Sequence, residues 1–555
     1  LDDQLYGREE VGGLMVGSLD DHAIPLSTAQ LPQNFSFALL SERWPQFEPY
    51  MATAMKRFPL LETADVKMLL NGPESFTPDG QMLLGPIPGA SGLFAACGFN
   101  SNGMALAPAA GRFTAEWIVE GAPSADTARL DPRRFSAVQS GEAYLRDRVT
   151  EIPGYHCRMH AADADYTTSR NVRLSPVHRE LASAGARFGS VNAWERPLWV
   201  GDVGADWLAA VEAEVRAAAE SVLLVDRSSD AKYVVTGDSP AEAAPLRQAA
   251  SLERAASLGR ATSLEQAASN VAAAELTALA GSFGQLEVLA RTFQGPAGER
   301  FLLASPDQDA RLAEWLRSAG LAARATDVTA RYAMLELMGP RRAELLRGAG
   351  LAGGRTAGRA GGGIAGAGGL ESLSSEDAVN DSTILLVPAD AVAAVWRCLI
   401  EVGRSLGLRL GGHFAQEALR IARGVPGFGR EATPARLVTE LGSVLLIPLP
   451  REPAQSAAVP RTHRSRQLVA FSSPMDLLGF GGQEVVLQNG VPVGELTSRA
   501  RLPGWPATLA LALVDPSGWT GGPVETVAGG QRWVLTPRAT AWSVARPSTA
   551  HSSIA

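Results

Sequence analysis

The stretch that most constrains the fold of this chain covers residues 71–104 and contains a glycine-rich loop. A Thr-Pro-Asp-Gly turn at residues 77–80 leads to a short apolar run at residues 93–97 that is typical of a strand. The loop at residues 98–103 separates this run from a helical pattern over residues 104–118. Such a loop leaves free backbone N–H groups at the helix N-terminus and suits an anionic or carbonyl-rich ligand. A plain strand-to-helix turn would also use glycines, so both interpretations fit the pattern.

Length and charge limit the classes of protein to consider. A chain of 555 residues is expected to form several domains. Its 46% apolar and 19% charged residues are typical of a globular protein. The net charge of −8 provides no basic field for nucleic acid or an anionic membrane surface. No apolar run reaches the ~18–20 residues that span a bilayer. We therefore predict neither a nucleic-acid partner nor a membrane span.

Cysteines and histidines give no sign of a metal or of a disulfide framework. Cys97, Cys157 and Cys398 are far apart and form no CxxC pair, which fits a reducing compartment. The seven histidines form no HExxH motif. No metal site is predicted.

Three short segments of the chain resemble one protein family. GPESFTPDG at residues 72–80, ACGFNSNGM at residues 96–104 and AEWIVEG at residues 115–121 resemble the flavin domain of the sarcosine and dimethylglycine dehydrogenase family. The resemblance implies that the glycine-rich loop lies against the isoalloxazine ring of FAD. The cofactor-binding residues that it implies are Thr77, Asp79, Gly80, Gly98, Phe99, Asn100, Ser101, Asn102, Gly103 and Met104.

The same resemblance implies an activity, which is FAD-dependent oxidative demethylation of an N-methylated glycine such as sarcosine. The expected partners are a small-molecule amine substrate and an acceptor of the electron-transfer flavoprotein type. Tyr6, Arg8 and His22 are candidates for the substrate side, although each also fits a solvated group at a strand edge or turn. No catalytic residue is assigned. The implied location is intracellular, and the mitochondrial matrix in a eukaryote.

One part of the family pattern is not found. In this family the FAD pyrophosphate is held by a βαβ unit that opens with GxGxxG, and no such motif follows a strand here. Glycines at 12–13 fall in a segment, residues 11–17, that we predict to be an interior strand, and those at 361–363 fall in low-complexity sequence. We therefore expect only the C-terminal part of the flavin domain, and weak or no FAD binding by the chain as given.

The remaining sequence extends the resemblance. Residues 194–199 (WERPLW) resemble the family's linking domain, and residues 213–241 and 417–421 (EALRI) resemble its aminomethyltransferase-type, folate-binding domain. The implied fold class is multidomain α+β, with a D-amino-acid-oxidase-like flavin domain. The predicted domains are the C-terminal part of the flavin domain (1–130), the linking domain (131–200), an aminomethyltransferase-like domain (201–450) with insertions at 247–272 and 350–370, and a C-terminal β-barrel (460–555).

The Trp-Glu-Arg corner at residues 194–196 allows two interpretations. Arg196 could hold two domains together through a charge-assisted pair with a carboxylate. The corner could equally be ordinary packing around two indole rings.

The folate-binding domain departs from the family at two positions. The resemblance places a catalytic carboxylate at position 285 and a folate-pairing glutamate at position 384, where this chain has Gln285 and Ile384. An amide cannot act as a carboxylate near a developing cation, and Glu287 would lie on the opposite face of a strand. An apolar residue at 384 would leave pterin donors unpaired. We therefore predict that tetrahydrofolate-linked one-carbon transfer is impaired.

Two functional hypotheses remain open at this point. The first is a flavoenzyme of the sarcosine dehydrogenase type. The second is a non-catalytic regulatory or binding subunit, like the pyruvate dehydrogenase phosphatase regulatory subunit of the same family. A purely structural or folate-binding protein is disfavoured by Gln285 and Ile384.

Overall fold

The computed structural model describes residues 5–20, 22–156, 158, 160, 164–201, 206–236, 275–280, 286–294, 299–351, 373–377, 381–433, 445–448, 466–474, 479–482, 484–528 and 531–538. The chain divides into two compact units. The first comprises Leu1–Val119 and Arg129–Val172, and the second comprises Glu120–Ala128 and Arg173–Ala555. The predicted insertion at 247–272, and residues 352–370 of the other, lie outside the described residues.

The first unit is built from hairpins and helices. Its antiparallel hairpins are β1 (Leu5–Glu10) with β2 (Gly13–Ser18), and β3 (Leu83–Pro86) with β4 (Phe94–Cys97). Its helices are α1 (Trp44–Arg57), α2 (Gly103–Glu120), α3 (Glu142–Arg148) and α4 (Ile152–His156). The predicted strand at 93–97 and helix at 104–118 are thereby confirmed as β4 and α2.

The prediction of an interior strand at residues 11–17 is wrong. Val11 is 93% exposed and forms a tight turn with Gly12, both at positive φ (48° and 77°). Two consecutive positive φ angles suit the right-handed twist of a hairpin. The strand therefore begins only at Gly13, and its residues are exposed or half-buried.

Within its described residues, the second unit contains four sheets, one of which is the two-stranded hairpin of residues 186–191 with residues 194–200. Its strands are β5 (Ala186–Val191), β6 (Trp194–Val200), β7 (Val222–Asp226), β8 (Ala231–Val235), β9 (Glu275–Ala280), β10 (Leu286–Gln294), β11 (Arg300–Ala304), β12 (Ala325–Asp327), β13 (Tyr332–Met338), β14 (Leu373–Asp377), β15 (Ser382–Pro388), β16 (Leu408–Gly411), β17 (Leu445–Pro448), β18 (Gln467–Ser473), β19 (Gly479–Gly481), β20 (Val485–Gln488), β21 (Val491–Arg501), β22 (Thr508–Val514), β23 (Val524–Ala528) and β24 (Gln531–Pro537). Its helices are α5 (His178–Ser183), α6 (Trp207–Glu220), α7 (Asp309–Ser318), α8 (Arg342–Gly348), α9 (Val392–Arg404) and α10 (His413–Arg423).

Two of the sheets carry or adjoin the buried charged groups of this unit, among them Arg227, Asp230 and Glu336, which we call the polar centre. A five-stranded sheet has the order β14-β15-β13-β7-β16, and a six-stranded sheet has the order β12-β8-β11-β10-β9-β17. Every residue of β7, β13 and β15 is buried. Such continuous burial explains their near-uninterrupted apolar sequences.

The C-terminal strands form a closed barrel. The pairing runs β21-β20-β23-β24-β18-β22, and β22 pairs back onto β21, which closes six strands. The turn between β20 and β21 is Asn489-Gly490, with φ angles of 53° and 79°, as an Asn-Gly hairpin requires. The predicted barrel is confirmed.

Helix α10 connects the apolar core to the polar centre. Its buried residues include Ala415, Leu419 and Ile421, which pack in a core shared with α6 and the barrel strands β21 and β22. The helix ends at Arg423 and is capped by Gly424, which adopts φ 73°. The polar positions of α10 are consequently directed away from that core.

Candidate functional site

Asn100 holds the glycine-rich loop against the turn at residues 77–80. The backbone N–H of Thr77 donates to Asn100 Oδ1 at 2.9 Å, and Asn100 Nδ2 donates to the Gly98 carbonyl at 2.6 Å. Asn100 is 1% exposed and Thr77 is 5% exposed. A buried amide that pairs on both sides fixes the conformation of both segments.

The loop has a strained backbone. Gly98, Asn100 and Ser101 have φ angles of 63°, 51° and 65°. A Cβ at Gly98 would lie 2.8 Å from Thr77 Cγ2, so this position needs glycine for space as well as for conformation. Non-glycine residues in this region are uncommon and often lie at functional sites.

Asp79 is held by an arginine that is distant in sequence. Arg134 Nε lies 2.7 Å from Asp79 Oδ2, and Arg134 Nη2 lies 3.0 Å from Asp79 Oδ1. The same guanidinium donates to the Gln81 carbonyl at 2.7 Å. This bidentate pair holds the turn in place and leaves Asp79 without a free charge for a ligand.

His156 is a neighbour of the loop that sequence reasoning missed. Its Nε2 lies 3.2 Å from Asn102 Nδ2, and its Nδ1 would lie 3.0 Å from a Cβ at Gly80. Gly80 is therefore buried beneath the imidazole. In the sequence, His156 could have been noticed through its position after the segments that carry the family resemblance.

His156 and His160 also have the i, i+4 spacing of a helical metal pair, which the prediction of no metal site overlooked. Helix α4 ends at His156, and His160 stacks on Tyr155 with ring centroids 3.6 Å apart. Within the described residues, no group of three or more His, Cys, Asp or Glu side chains is placed to hold a metal ion.

The other predicted loop residues differ in exposure. Phe99 packs against the small core around Met82 and Leu84. Ser101 donates to Glu74, whereas Met104 is 94% exposed at the start of α2. Gly103 begins α2, whose first turn carries no acidic residue. The structure thus brings the ten predicted residues into one turn, one loop and one helix start.

The substrate-side candidates lie elsewhere on the first unit. Tyr6 is on β1, where its ring covers Gly17, and Arg8 pairs with Glu10 at 2.8 Å. The backbone N–H of His22 donates to Asp20 Oδ1 at 2.8 Å. The hydrogen bonds described for the loop and turn reach Glu74, Arg134 and His156 instead. A substrate role for the three candidates stays a prediction.

The loop fits the ring side of a flavin by its donor set. It offers backbone N–H groups at a helix start, with small side chains and no acid in the first helical turn. The residues that would border the ring are the ten named above, with His156 added.

In the second unit, the folate positions have different outcomes. Gln285 lies outside the described residues. Ile384 is 1% exposed and packs with Met334 and Leu386 in an apolar cluster. Its cross-strand partner is Glu336, which therefore points to the same face of the sheet. A carboxylate is thus present beside position 384, on the neighbouring strand.

Glu336 is already fully engaged. Arg227 Nη1 donates to Oε2 at 2.9 Å, Gln416 Nε2 donates to Oε2 at 2.7 Å, and Ser382 donates to Oε1 at 2.6 Å. Burial raises the pKa of Glu336, but the charges of Arg227 and Arg291 and the hydrogen bonds from Ser382 and Arg227 together outweigh it, so the pKa is lowered to about 2. Both carboxylate oxygens are occupied within the protein.

Helix α10 carries a second ion-pair group. Arg420 binds both oxygens of Glu417, at 2.8 and 2.6 Å, and reaches Glu431 at 2.8 Å. Burial lowers the pKa of His413, on the same helix, to about 3, with the charge of Arg196 acting in the same direction. His413 is therefore neutral at physiological pH. Glu287 lies 3.7 Å from Arg311.

Two family models match the first part of the chain. A family model described as "FAD dependent oxidoreductase" matches residues 1–117, and one described as "FAD dependent oxidoreductase central domain" matches residues 120–175. The mitochondrial sarcosine dehydrogenase of Mus musculus is 35% identical over 199 residues, which covers 36% of this chain and 21% of the relative. The chain is thus similar to FAD-dependent oxidoreductases of the sarcosine and dimethylglycine dehydrogenase type.

Two further relatives match more of the chain. The 4-methylaminobutanoate oxidase (formaldehyde-forming) of Paenarthrobacter nicotinovorans is 30% identical over 559 residues, covering 96% of this chain and 65% of the relative. The mitochondrial pyruvate dehydrogenase phosphatase regulatory subunit of Mus musculus is 28% identical over 467 residues, covering 80% of this chain and 51% of the relative. The chain thus covers less than two thirds of the length of each of these relatives.

The matched segments and the observed sheets agree with the predicted architecture. The predicted fold class, with a D-amino-acid-oxidase-like flavin domain, an aminomethyltransferase-like domain and a C-terminal barrel, is confirmed. The domain boundaries stay a prediction. No helix in the described ranges is long and apolar enough to cross a membrane.

Proposed function

We propose that this chain takes part in the FAD-dependent oxidative demethylation of a small N-methylated amino acid, with N-methylglycine as the preferred type. The observation that carries this proposal is the pairing of Thr77 with Asn100, which fixes the loop that the family uses on the ring side of the flavin. The relatives support it, since one is named an oxidase of 4-methylaminobutanoate and another a dehydrogenase of sarcosine.

The residues of the loop have separable roles in this proposal. Bound FAD would supply the two-electron oxidation of the N-methyl carbon. Backbone N–H groups at the start of α2 would stabilise negative charge on a bound flavin ring. Asn100 and Arg134 keep the loop and the turn in one geometry, which preorganises those donors. An electron-transfer flavoprotein-type acceptor remains part of the proposal. A matrix location would follow in a eukaryote, since the Mus musculus relatives are named mitochondrial.

The test is formaldehyde release by the full-length protein with FAD present. N-methylglycine, N,N-dimethylglycine and 4-methylaminobutanoate are compared as substrates. We expect turnover with at least one of them, the highest kcat/KM for N-methylglycine, and a loss of turnover in Asn100→Ala that Asn71→Ala, at a half-buried position, does not share. Absence of turnover with all three amines, in protein that holds FAD, would overturn the proposal.

The folate half of the family reaction is proposed to be impaired. Ile384 is buried among apolar side chains, and the neighbouring Glu336 has both oxygens occupied. Among the described residues, neither Ile384 nor Glu336 therefore offers a free carboxylate to two adjacent pterin donors. Isothermal titration of the whole chain with tetrahydrofolate should show no binding at micromolar concentration, and micromolar or tighter binding contradicts this part.

The second candidate is a non-catalytic regulatory subunit. It is favoured by the regulatory-subunit relative, which matches 80% of this chain. Protein that stays colourless in excess FAD supports this candidate and excludes the enzyme. Weak FAD binding by residues 1–555 alone, with strong binding by a longer native chain, supports the enzyme.

A further inference from the structure

A groove of about 570 Å³ lies between helices α5 and α9 of the second unit, and we call it the α5–α9 groove. The apolar residues of its lining are Trp396, which is 3% exposed, and the half-buried Ile400. Both pack in the same apolar core of the second unit. The other lining residues are polar or charged. An apolar floor between charged walls is typical of a surface that binds another molecule.

The walls of the groove carry more positive than negative charge. Arg179 comes from α5, and Arg397 and Arg404 come from α9. The acidic residues of the lining are Glu180 and Glu401. Three arginines and two glutamates leave one net positive charge in the groove, whereas the whole chain has a net charge of −8. The groove is therefore a local positive region on an acidic protein.

The charged side chains of α9 that line the groove do not pair with one another. Glu401 stands four residues after Arg397 and three before Arg404, the spacings at which opposite charges on a helix usually meet. Among the residues that the structure describes, the Glu401 carboxylate and the Arg404 guanidinium make no hydrogen bond or ion pair. The described contact of the Arg397 guanidinium is from Nε to the Ala393 carbonyl, at 3.2 Å. These charges are therefore open to a partner.

Other helices of the chain close the same pairs. On α2, Arg112 and Glu116 repeat the order and spacing of the first pair of α9, and Arg112 Nε lies 2.8 Å from Glu116 Oε1. On α7, Glu314 and Arg317 repeat the order and spacing of the second pair, and Arg317 Nε donates to Glu314 Oε2 at 3.0 Å. The open charges of α9 are therefore a property of this groove and do not follow from the spacing alone.

The mixture of signs selects the kind of partner. Guanidinium groups bind carboxylates through parallel N–H donors. A partner of uniform negative charge, such as a nucleic acid, would be repelled by Glu180 and Glu401. Arg397 and Arg404 are separated by roughly 10 Å along the axis of α9, which is two helical turns. A helix lying beside α9 can therefore place a glutamate opposite each of these arginines and a lysine between them.

We propose that the α5–α9 groove binds an amphipathic helix of a partner protein, with glutamates of that helix on Arg179, Arg397 and Arg404. Apolar residues of the partner pack over Trp396 and Ile400, as in other grooves that receive a helix. The proposal uses no residue of the glycine-rich loop and does not depend on oxidation of an amine. Binding is therefore measured without FAD, and failure of one proposal leaves the other standing.

The test is fluorescence anisotropy of a labelled synthetic peptide titrated with the whole chain. The peptide is an amphipathic helix with leucines on one face, and with two glutamates seven residues apart and a lysine between them beside that face. We expect saturable binding that weakens as salt is added, because the charges of the groove are exposed. The combined substitution Arg179→Gln, Arg397→Gln and Arg404→Gln should weaken binding by about tenfold or more, since it removes three charged partners. A peptide with lysines in place of the glutamates should bind at least about tenfold more weakly.

Arg317→Gln is the matched control, because Arg317 is an exposed arginine on helix α7 of the same unit and is not part of the groove lining. It should bind the peptide like the unaltered chain. All four substitutions are at exposed positions, so the variants should fold, and circular dichroism checks this. Absence of saturable binding, equal affinity of the triple variant and the unaltered chain, equal binding of the lysine peptide, or displacement of the peptide by a single-stranded oligonucleotide would overturn the proposal.

Discussion

The backbone N–H of Thr77 donates to the side chain of Asn100, 23 residues further along the chain, at 2.9 Å. This bond joins the Thr-Pro-Asp-Gly turn to the loop before α2. Because both groups are buried, neither can exchange its partner for water. The proposed flavin contact thus depends on one amide side chain.

Replacing Asn100 with alanine should destabilise the first unit. It leaves the Thr77 N–H buried and unpaired, at a cost of about 1–3 kcal/mol. Alanine at φ 51° adds about 1 kcal/mol of backbone strain. Urea unfolding measures the difference. Asn71→Ala removes an exposed hydrogen bond to the Ser41 carbonyl and is the control. Equal effects of the two substitutions would contradict the role of Asn100.

Alanine substitutions at two glycines distinguish the cost of backbone strain from the cost of a steric clash. Gly98 and Gly89 have φ angles of 63° and 73°, but a Cβ at Gly98 would lie 2.8 Å from Thr77 Cγ2, whereas Gly89 has nothing within 4 Å. We expect Gly98→Ala to destabilise the protein by about 1–3 kcal/mol more than Gly89→Ala, because only the first forces atoms apart. Thermal unfolding of the two variants decides it, and indistinguishable midpoints would count against the close contact.

Glu336 should stabilise the fold at neutral pH and lose that effect in acid. Its pKa is lowered to about 2 in the folded chain from an ordinary value of 4.5. The stabilisation is therefore present above pH 4.5 and is lost as the pH falls towards 2. Glu336→Gln removes the charge opposite the buried Arg227 and should cost about 3–5 kcal/mol at pH 7.

The pH profile tests this assignment further. The difference in unfolding free energy between the unaltered chain and Glu336→Gln should shrink from pH 5 to pH 3. Glu344→Gln, which removes an exposed partner of Arg341, should show little difference at any pH. A difference that stays constant down to pH 3 would show that Glu336 is not a charged partner of Arg227.

Glu214 has the opposite dependence. It is fully buried and accepts the N–H groups of Val200 at 2.6 Å and Gly412 at 3.0 Å. Burial raises its pKa to about 7. Its contribution is therefore greatest below pH 4.5 and is lost as the pH rises through 7. Unfolding free energy should fall between pH 5 and 8 in the unaltered chain and fall less in Glu214→Gln, whereas equal slopes would refute the assignment.

Local sequence signals were sufficient for several elements. Strand β4, helix α2 and the Asn489-Gly490 turn follow from apolar runs, helix formers and turn residues close together in sequence. The segment at 11–17 failed because its apolar residues belong to a solvent-exposed hairpin. The pattern of apolar residues alone does not show whether other parts of the chain pack over a strand and bury it.

Long-range partners were not predictable. Arg134 reaches Asp79 across 55 residues, and nothing local in either segment indicates the other. The resemblance identified position 384 as a folate position, and the sequence has isoleucine there. That Glu336 lies opposite Ile384 follows from the register of β13 with β15, which the sequence did not reveal. The position of Glu336 beside Ile384 is therefore known only from the strand pairing in the structure.

The most direct test of the proposed function is the absorption spectrum of the full-length protein with FAD, before and after anaerobic addition of N-methylglycine. We predict a bound, oxidised flavin spectrum that bleaches on addition of N-methylglycine and recovers when an electron acceptor is supplied. A protein that remains colourless in saturating FAD, or a bound flavin that N-methylglycine, N,N-dimethylglycine and 4-methylaminobutanoate all leave oxidised, would contradict it.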